Sequence, residues 1–133
     1  ELKKHGKTLF AREVGNFNTS ETRKAARKMF TAKEIPDAVF VANDHMAFIV
    51  MDVIRSELGL KIPDDVSVVG YDDVPIASWP AYSLTTVRQP ANQMVAETVS
   101  ILIDSIENKS TEPRRIEIDG PLIIRGSARI SDK

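Results

Sequence analysis

The chain has 133 residues, the length of one domain and enough to bury a hydrophobic core without disulfide or metal staples. Eighteen Lys and Arg against 19 Asp and Glu leave a formal net charge of −1, so the chain carries no basic footprint for nucleic acid. Cysteine is absent, which excludes disulfide and thiolate chemistry and suits a reducing cytoplasm, and no window approaches the roughly 18 apolar residues of a spanning helix.

Glu1 to Gly6 reads as the end of a helix closed by a C-terminal glycine, without the apolar stretch of a signal peptide. A short strand is expected at Leu9-Phe10-Ala11. Asn18 with Glu21 three residues on fits a capping box, and Ala25, Ala26, Met29 and Phe30 then form an apolar stripe at helical spacing. Pro36-Asp37 marks a turn before Ala38-Val39-Phe40-Val41, a second apolar strand, and Asn43-Asp44 supplies helix N-cap chemistry. The helix expected over residues 44–58 is apolar nearly all round, from Met46 to Ile54. A helix packed on one side alone would show a polar face, so this one is expected to be buried on two. Gly59 ends it and Pro63 blocks its resumption.

The stretch Val-Ser-Val-Val-Gly-Tyr-Asp-Asp at 66–73 organises the rest. A short apolar run of β-branched residues bounded by turn signals reads as a strand buried on both faces, as in a parallel sheet. Ligands of open α/β sheets sit beyond the carboxyl ends of such strands, where Asp72 and Asp73 stand. A turn-rich segment around Pro75, Trp79-Pro80 and Ser83 leads to another extended run, Leu84-Thr85-Thr86-Val87. Met94, Val95, Thr98, Val99, Leu102, Ile103 and Ile106 repeat as an amphipathic helix over 91–108. Arg115-Ile116-Glu117-Ile118 alternates as a half-exposed strand should, and Gly120-Pro121 turns into a last apolar strand, 122–124. Alternating strands and helices mean an α/β fold, a mainly parallel sheet flanked by helices.

Catalytic chemistry has little support. Adjacent acids at a strand end point apart instead of flanking one bond. His5 and His45 lack metal-ligand spacing, Ser67 has no nucleophile elbow, and glycine-rich phosphate loops are absent, so neither an enzyme nor a metal or cofactor site is expected. A phosphoacceptor domain would also place acids at a strand end. It needs further acids at a neighbouring strand and a lysine after the last one, where Asn43-Asp44 serves only partly and Arg125 stands instead of lysine.

The runs Val-Ala-Asn-Asp-His-Met-Ala at 41–47 and Gly-Leu-Lys-Ile-Pro-Asp-Asp-Val-Ser-Val-Val-Gly-Tyr-Asp-Asp at 59–73 resemble the lactose-repressor/galactose-repressor family. Leu-Thr-Thr-Val-Arg-Gln-Pro at 84–90 and Pro-Leu-Ile-Ile-Arg-Gly-Ser at 121–127 continue the match in the same order. The resemblance implies a bacterial transcription regulator. Such a protein joins a helix-turn-helix DNA reader to a two-lobed, periplasmic-binding-protein-like core with an effector between the lobes. The chain would be the last part of that core, an incomplete second lobe lacking the strand that lies mid-sheet in the family. By the same resemblance residues 1–88 belong to the second lobe, 89–120 cross to the first, and 121–133 return as a strand and tail. Unpaired strand edges would leave the fragment prone to associate.

The resemblance implies an effector site of Asp72, Asn43, Phe17 and Gln89. Asp72 would accept hydrogen bonds from effector hydroxyls or ring nitrogens, with Asp73 the structural member of the pair. A turn acid bonding its own backbone, capping by Asn43 and a staple role for Phe17 are the plainer readings of those residues. Phe48, Met51, Ile76, Trp79 and Tyr82 match a dimer interface in the family. Ile49, and the Glu21-Thr22 region, depart from its usual glycines. The expected partners are a sugar or nucleobase effector, a second copy of the chain, and operator DNA through an absent N-terminal domain, with no membrane. The alternative is a periplasmic-type sugar-binding protein of a transport system.

Overall fold

A computed structural model describes residues 2–108 and 112–130, so expectations touching Glu1, residues 109–111 and the end of the tail at 131–133 lie outside the described residues. Helix α1 (Thr19–Phe30) begins where extended Asn18 turns its side chain onto the N–H groups of Ser20 and Glu21, at 2.9 and 3.1 Å. That satisfies two donors a helix start leaves unpaired. The second half of the expected capping box differs: the Asn18 N–H donates to the Gly15 carbonyl, and Glu21 instead accepts from Lys24. Ala26 and Phe30 bury α1 against the rest of the core.

Strand β1 (Ala38–Phe40) precedes α2 (Asp44–Asp52), which widens into a π turn over Val53–Glu57 before Gly59, at φ 67°, ends it. The two-sided burial expected of this helix is present. Ala47, Phe48, Val50, Met51, Val53 and Ile54 are all buried, with α1 on one side and the next strand on the other. That strand is β2 (Ser67–Asp72), followed by β3 (Thr85–Arg88), α3 (Ala91–Glu107) and β4 (Leu122–Ile123). The sheet order is β1-β2-β3-β4, the first three parallel and β4 antiparallel to β3. Val66 and Val68 are fully buried, as the central strand requires, while Tyr71 emerges near its end. Ser127 stitches the start of the sheet, its Oγ donating to the Val68 carbonyl and accepting the Thr85 N–H.

Two expected strands are not strands. Residues 8–14 are largely exposed and, among the described residues, have no ladder partner. A groove of about 950 Å³, lined by Leu9, Phe10, Val14, Ile35, Val39 and Phe40 among others, separates them from the open edge of β1. Arg115–Ile118 is likewise largely exposed and outside the sheet; Arg115 bonds to Glu117 on the same segment. In both places the side-chain pattern suits a strand, but a strand exists only where a neighbouring backbone supplies hydrogen bonds. The last strand stops at Ile123, one residue earlier than expected. Helix α3 forms as its spacing predicts, yet none of its residues is buried, so Val95, Leu102, Ile103 and Ile106 stand exposed.

Candidate ligand-binding site

Three parallel strands release their chains at the same edge of the sheet. Asn43 follows β1, Asp72 ends β2 and Gln89 follows β3, so the topology brings together three of the four candidate residues. Asp72 and Asp73 adopt φ values of 125° and 58°, a region that costs a non-glycine residue about 1–3 kcal/mol and is held only by its surroundings. The surroundings are visible. Gln89 Nε2 donates to Asp72 Oδ1 at 2.5 Å, joining the ends of β2 and β3 by side chains. Asp73 accepts from Arg88 Nε and Arg125 Nη2, each at 2.6 Å. Burial would push the Asp73 carboxyl up, but the bonds from Arg125 and then Arg88 outweigh it and hold it below the ordinary aspartate range.

Asp72 itself is half-buried, and the Gln89 amide engages one of its carboxylate oxygens, Oδ1. A carboxylate so placed can accept from hydroxyls or ring N–H groups of a ligand. Asn43 is also engaged within the fold, where its Oδ1 accepts the Met46 N–H at 2.8 Å and caps α2. Phe17, at φ 52° and 76% exposed, lines the groove with Ala42 and Met46, but Asn43 does not. Asp72 and Gln89 do not line that groove, which runs instead along the open edge of β1.

Asp44 proves to be more than a capping residue. It is fully buried, Oδ1 accepting from Thr86 Oγ1 at 2.6 Å and Oδ2 from the Val74 N–H at 3.0 Å. It thus ties the start of α2 to β3 and to the turn after Asp73. A Cβ on Gly70 would collide with Asp44 Oδ1, which explains a glycine in a strand otherwise rich in β-branched residues. That glycine was the sequence signal for a close approach. Arg88 and Arg125, the partners of Asp73, carried no comparable local signal.

The expected interface set divides. Trp79 is 55% exposed, and Ile76 and Tyr82 are half-buried beside it. Met51 has no exposed surface and Phe48 almost none, because α2 already spends them on the chain's own core. This corrects the expectation for Met51, which cannot touch a partner while it is buried. Phe48 supports the surface from beneath, its ring 4.4 Å from that of Tyr82. Ser67 is buried and accepts from the Arg129 backbone N–H, and among the described residues no cluster of three or more His, Asp or Glu could hold a metal.

The family model for the periplasmic binding protein-like domain matches residues 3–128. The chain belongs to that family. Within it, the chain is similar to effector domains of the lactose-repressor/galactose-repressor group. The HTH-type transcriptional repressor PurR of Photobacterium profundum is 32% identical over 115 residues, covering 86% of this chain and 34% of the relative. The PurR of Yersinia pestis is 36% identical over 113 residues, 85% of this chain and 33% of that one. Among solved structures, a transcriptional regulator CelR–cellobiose complex superposes with a TM-score of 0.83 at 33% identity, over 96% of this chain and 39% of that one. The lac repressor dimer bound to operator and the anti-inducer ONPF gives 0.84 at 27% identity, over 96% and 44%. The chain therefore spans about a third of the length of the PurR repressors it matches. Its periplasmic-binding-protein-like fold, with a four-stranded sheet flanked by helices, is a partial one.

Proposed function

We propose that the chain is the effector-binding and dimerisation part of a bacterial transcription regulator, with Asp72 as the principal polar contact to the effector. The observation that carries this is the arrangement at the sheet edge. A strand-end carboxylate is held at positive φ by a strand-to-strand side-chain bond, at the same end of the sheet where Asn43 follows β1. Such backbone strain clusters at ligand sites because the rest of the fold must sustain it. Asn43 and Gln89 would complete the polar side of the pocket and Phe17 would stack on the effector ring.

In this reading residues 1–88 are the second-lobe portion, 89–120 the segment that crosses toward a first lobe, and 121–133 the return. The exposed apolar stripe of α3 supports the crossing, since a first lobe would cover it. The effector belongs to the sugar or nucleobase class, and it acts by favouring one relative angle of the two lobes, to which DNA-binding heads respond. Trp79, Ile76 and Tyr82 supply the dimer contact. The relatives are repressors, which favours a regulator in the cytoplasm over a transport protein and over an enzyme.

The test is a thermal-shift screen of the full-length protein against sugars and nucleobases, since a ligand that prefers the folded state raises its melting temperature. A shift by one member of either class is expected. No shift from any member, with the protein folded, would overturn the effector reading.

A further inference from the structure

We propose that Asp73 is a positioning residue for Asp72: it fastens the exit of β3, through Arg88, and the Arg125 side chain from the segment after β4 to the end of β2, and so fixes where the Asp72 carboxylate sits. This rests on reading Asp72 as the ligand acceptor, but its geometric content can be tested without any ligand.

Asp72 faces Arg88 across the β2–β3 ladder, so the residues that follow each strand would ordinarily separate. They do not. Arg88 reaches forward to Asp73, and Gln89, the next residue after β3, reaches back to Asp72. Two successive side chains of one strand end are crossed with two successive side chains of the other. In extended backbone Asp72 and Asp73 would point to opposite faces. Positive φ at both residues abolishes that alternation and makes the crossing possible.

Asp73 bears most of the restraint. Its side chain is only 5% exposed and meets two guanidinium groups. Arg125 is itself immobilised, its Nη1 donating to the Leu84 carbonyl at 2.7 Å and its backbone N–H to Thr85 Oγ1 at 2.9 Å. Asp73 therefore joins the exit of β3, through Arg88, to the segment returning after β4, through Arg125. Charge-assisted bonds of this kind are short and directional, so they set angles as well as proximity. Among the described residues Asp72 has a single side-chain bond, to a neutral amide, and its position follows from the backbone on which Asp73 is clamped. A purely structural Asp73 would contribute stability while leaving the Asp72–Gln89 bond unaffected by its loss.

The experiment reads the Gln89 side-chain amide resonances and the Asp72 carboxyl carbon of the 133-residue chain by NMR, with no ligand present. In Asp73→Asn the Gln89 amide pair is expected to move to the position of a water-solvated glutamine and the Asp72 carboxyl carbon to shift, while backbone amides of α1 and α2 keep their wild-type positions. Unchanged Gln89 and Asp72 signals in folded Asp73→Asn overturn the proposal. Should that variant fail to fold, Arg88→Gln removes only the more exposed of the two ion-pair partners. It is expected to move the same signals in the same direction, and their constancy there overturns the proposal equally. Because no ligand enters, a negative result here is separate from a negative ligand screen.

Discussion

Replacing Asp44 by alanine tests whether a buried carboxylate holds this fold together. Its two oxygens serve two donors on different elements, Thr86 Oγ1 on β3 and the Val74 N–H after β2, and neither Asp44 nor Thr86 has any exposed surface. Alanine leaves the Thr86 hydroxyl without its acceptor in a site water does not reach. Losing a hydrogen bond to a charged group, or stranding a buried donor, costs roughly 1.5–3 kcal/mol. The Val74 N–H is partly buried and can recover some hydration, so it adds about 1 kcal/mol. Asp44 is also the first residue of α2, where a negative charge is favoured by roughly 0.3–1 kcal/mol. The sum is about 3–5 kcal/mol, a large part of the stability of a small domain. At roughly 4 °C per kcal/mol the melting temperature should fall by about 12–20 °C. Thermal and urea unfolding followed by circular dichroism read this directly. Thr86→Val, which removes one partner, should be markedly non-additive with Asp44→Ala, as residues sharing one bond are. A fall of less than about 3 °C, or simple additivity of the pair, would refute the reasoning.

Other consequences follow from the same contacts. Gly70→Ala drives a Cβ into Asp44 Oδ1 and places it 2.9 Å from Leu84 Cδ2, and should destabilise the chain by about 1–3 kcal/mol; a neutral outcome in urea titration would show the site has slack. Because the Asp73 carboxyl is lower in the folded chain than in the unfolded one, its contribution is complete above the ordinary aspartate value of 3.8 and fades as pH falls through the folded value. Melting temperatures taken from neutral pH into the acid range should therefore drop less steeply for Asp73→Asn than for the wild type, and parallel curves would contradict this. The open edge of β1 and the exposed face of α3 should make the 133-residue chain self-associate at micromolar concentration, and sedimentation showing a compact monomer would count against it.

The residues that announced themselves were those whose environment is periodic or local. Val66 and Val68, the all-round apolar helix after Asn43, and the caps at Asn18 and Asn43 each follow from spacing or from a neighbour two or three residues away. The misses are cases where the deciding partner is remote. Asp73 owes its setting to Arg88 and Arg125, 15 and 52 positions on, and Asp44 to Thr86, 42 positions on. Leu9-Phe10-Ala11 and Arg115–Ile118 have the side-chain pattern of strands, yet strand formation depends on a second backbone that no single segment reveals. Met51 illustrates the same limit from the other side. An apolar helix position can serve a core or an interface, and only packing distinguishes them.

The proposed effector recognition turns on Asp72 as the group a ligand grips. The most direct measurement compares the ligand-induced rise in melting temperature of the full-length protein with that of its Asp72→Ala variant, using whichever sugar or nucleobase shifts the wild type. The rise should vanish while the ligand-free melting temperature stays near that of the wild type, because among the described residues the Asp72 side chain makes a single bond, to the neutral Gln89 amide, at the sheet's edge. A rise that survives intact in Asp72→Ala would contradict that role.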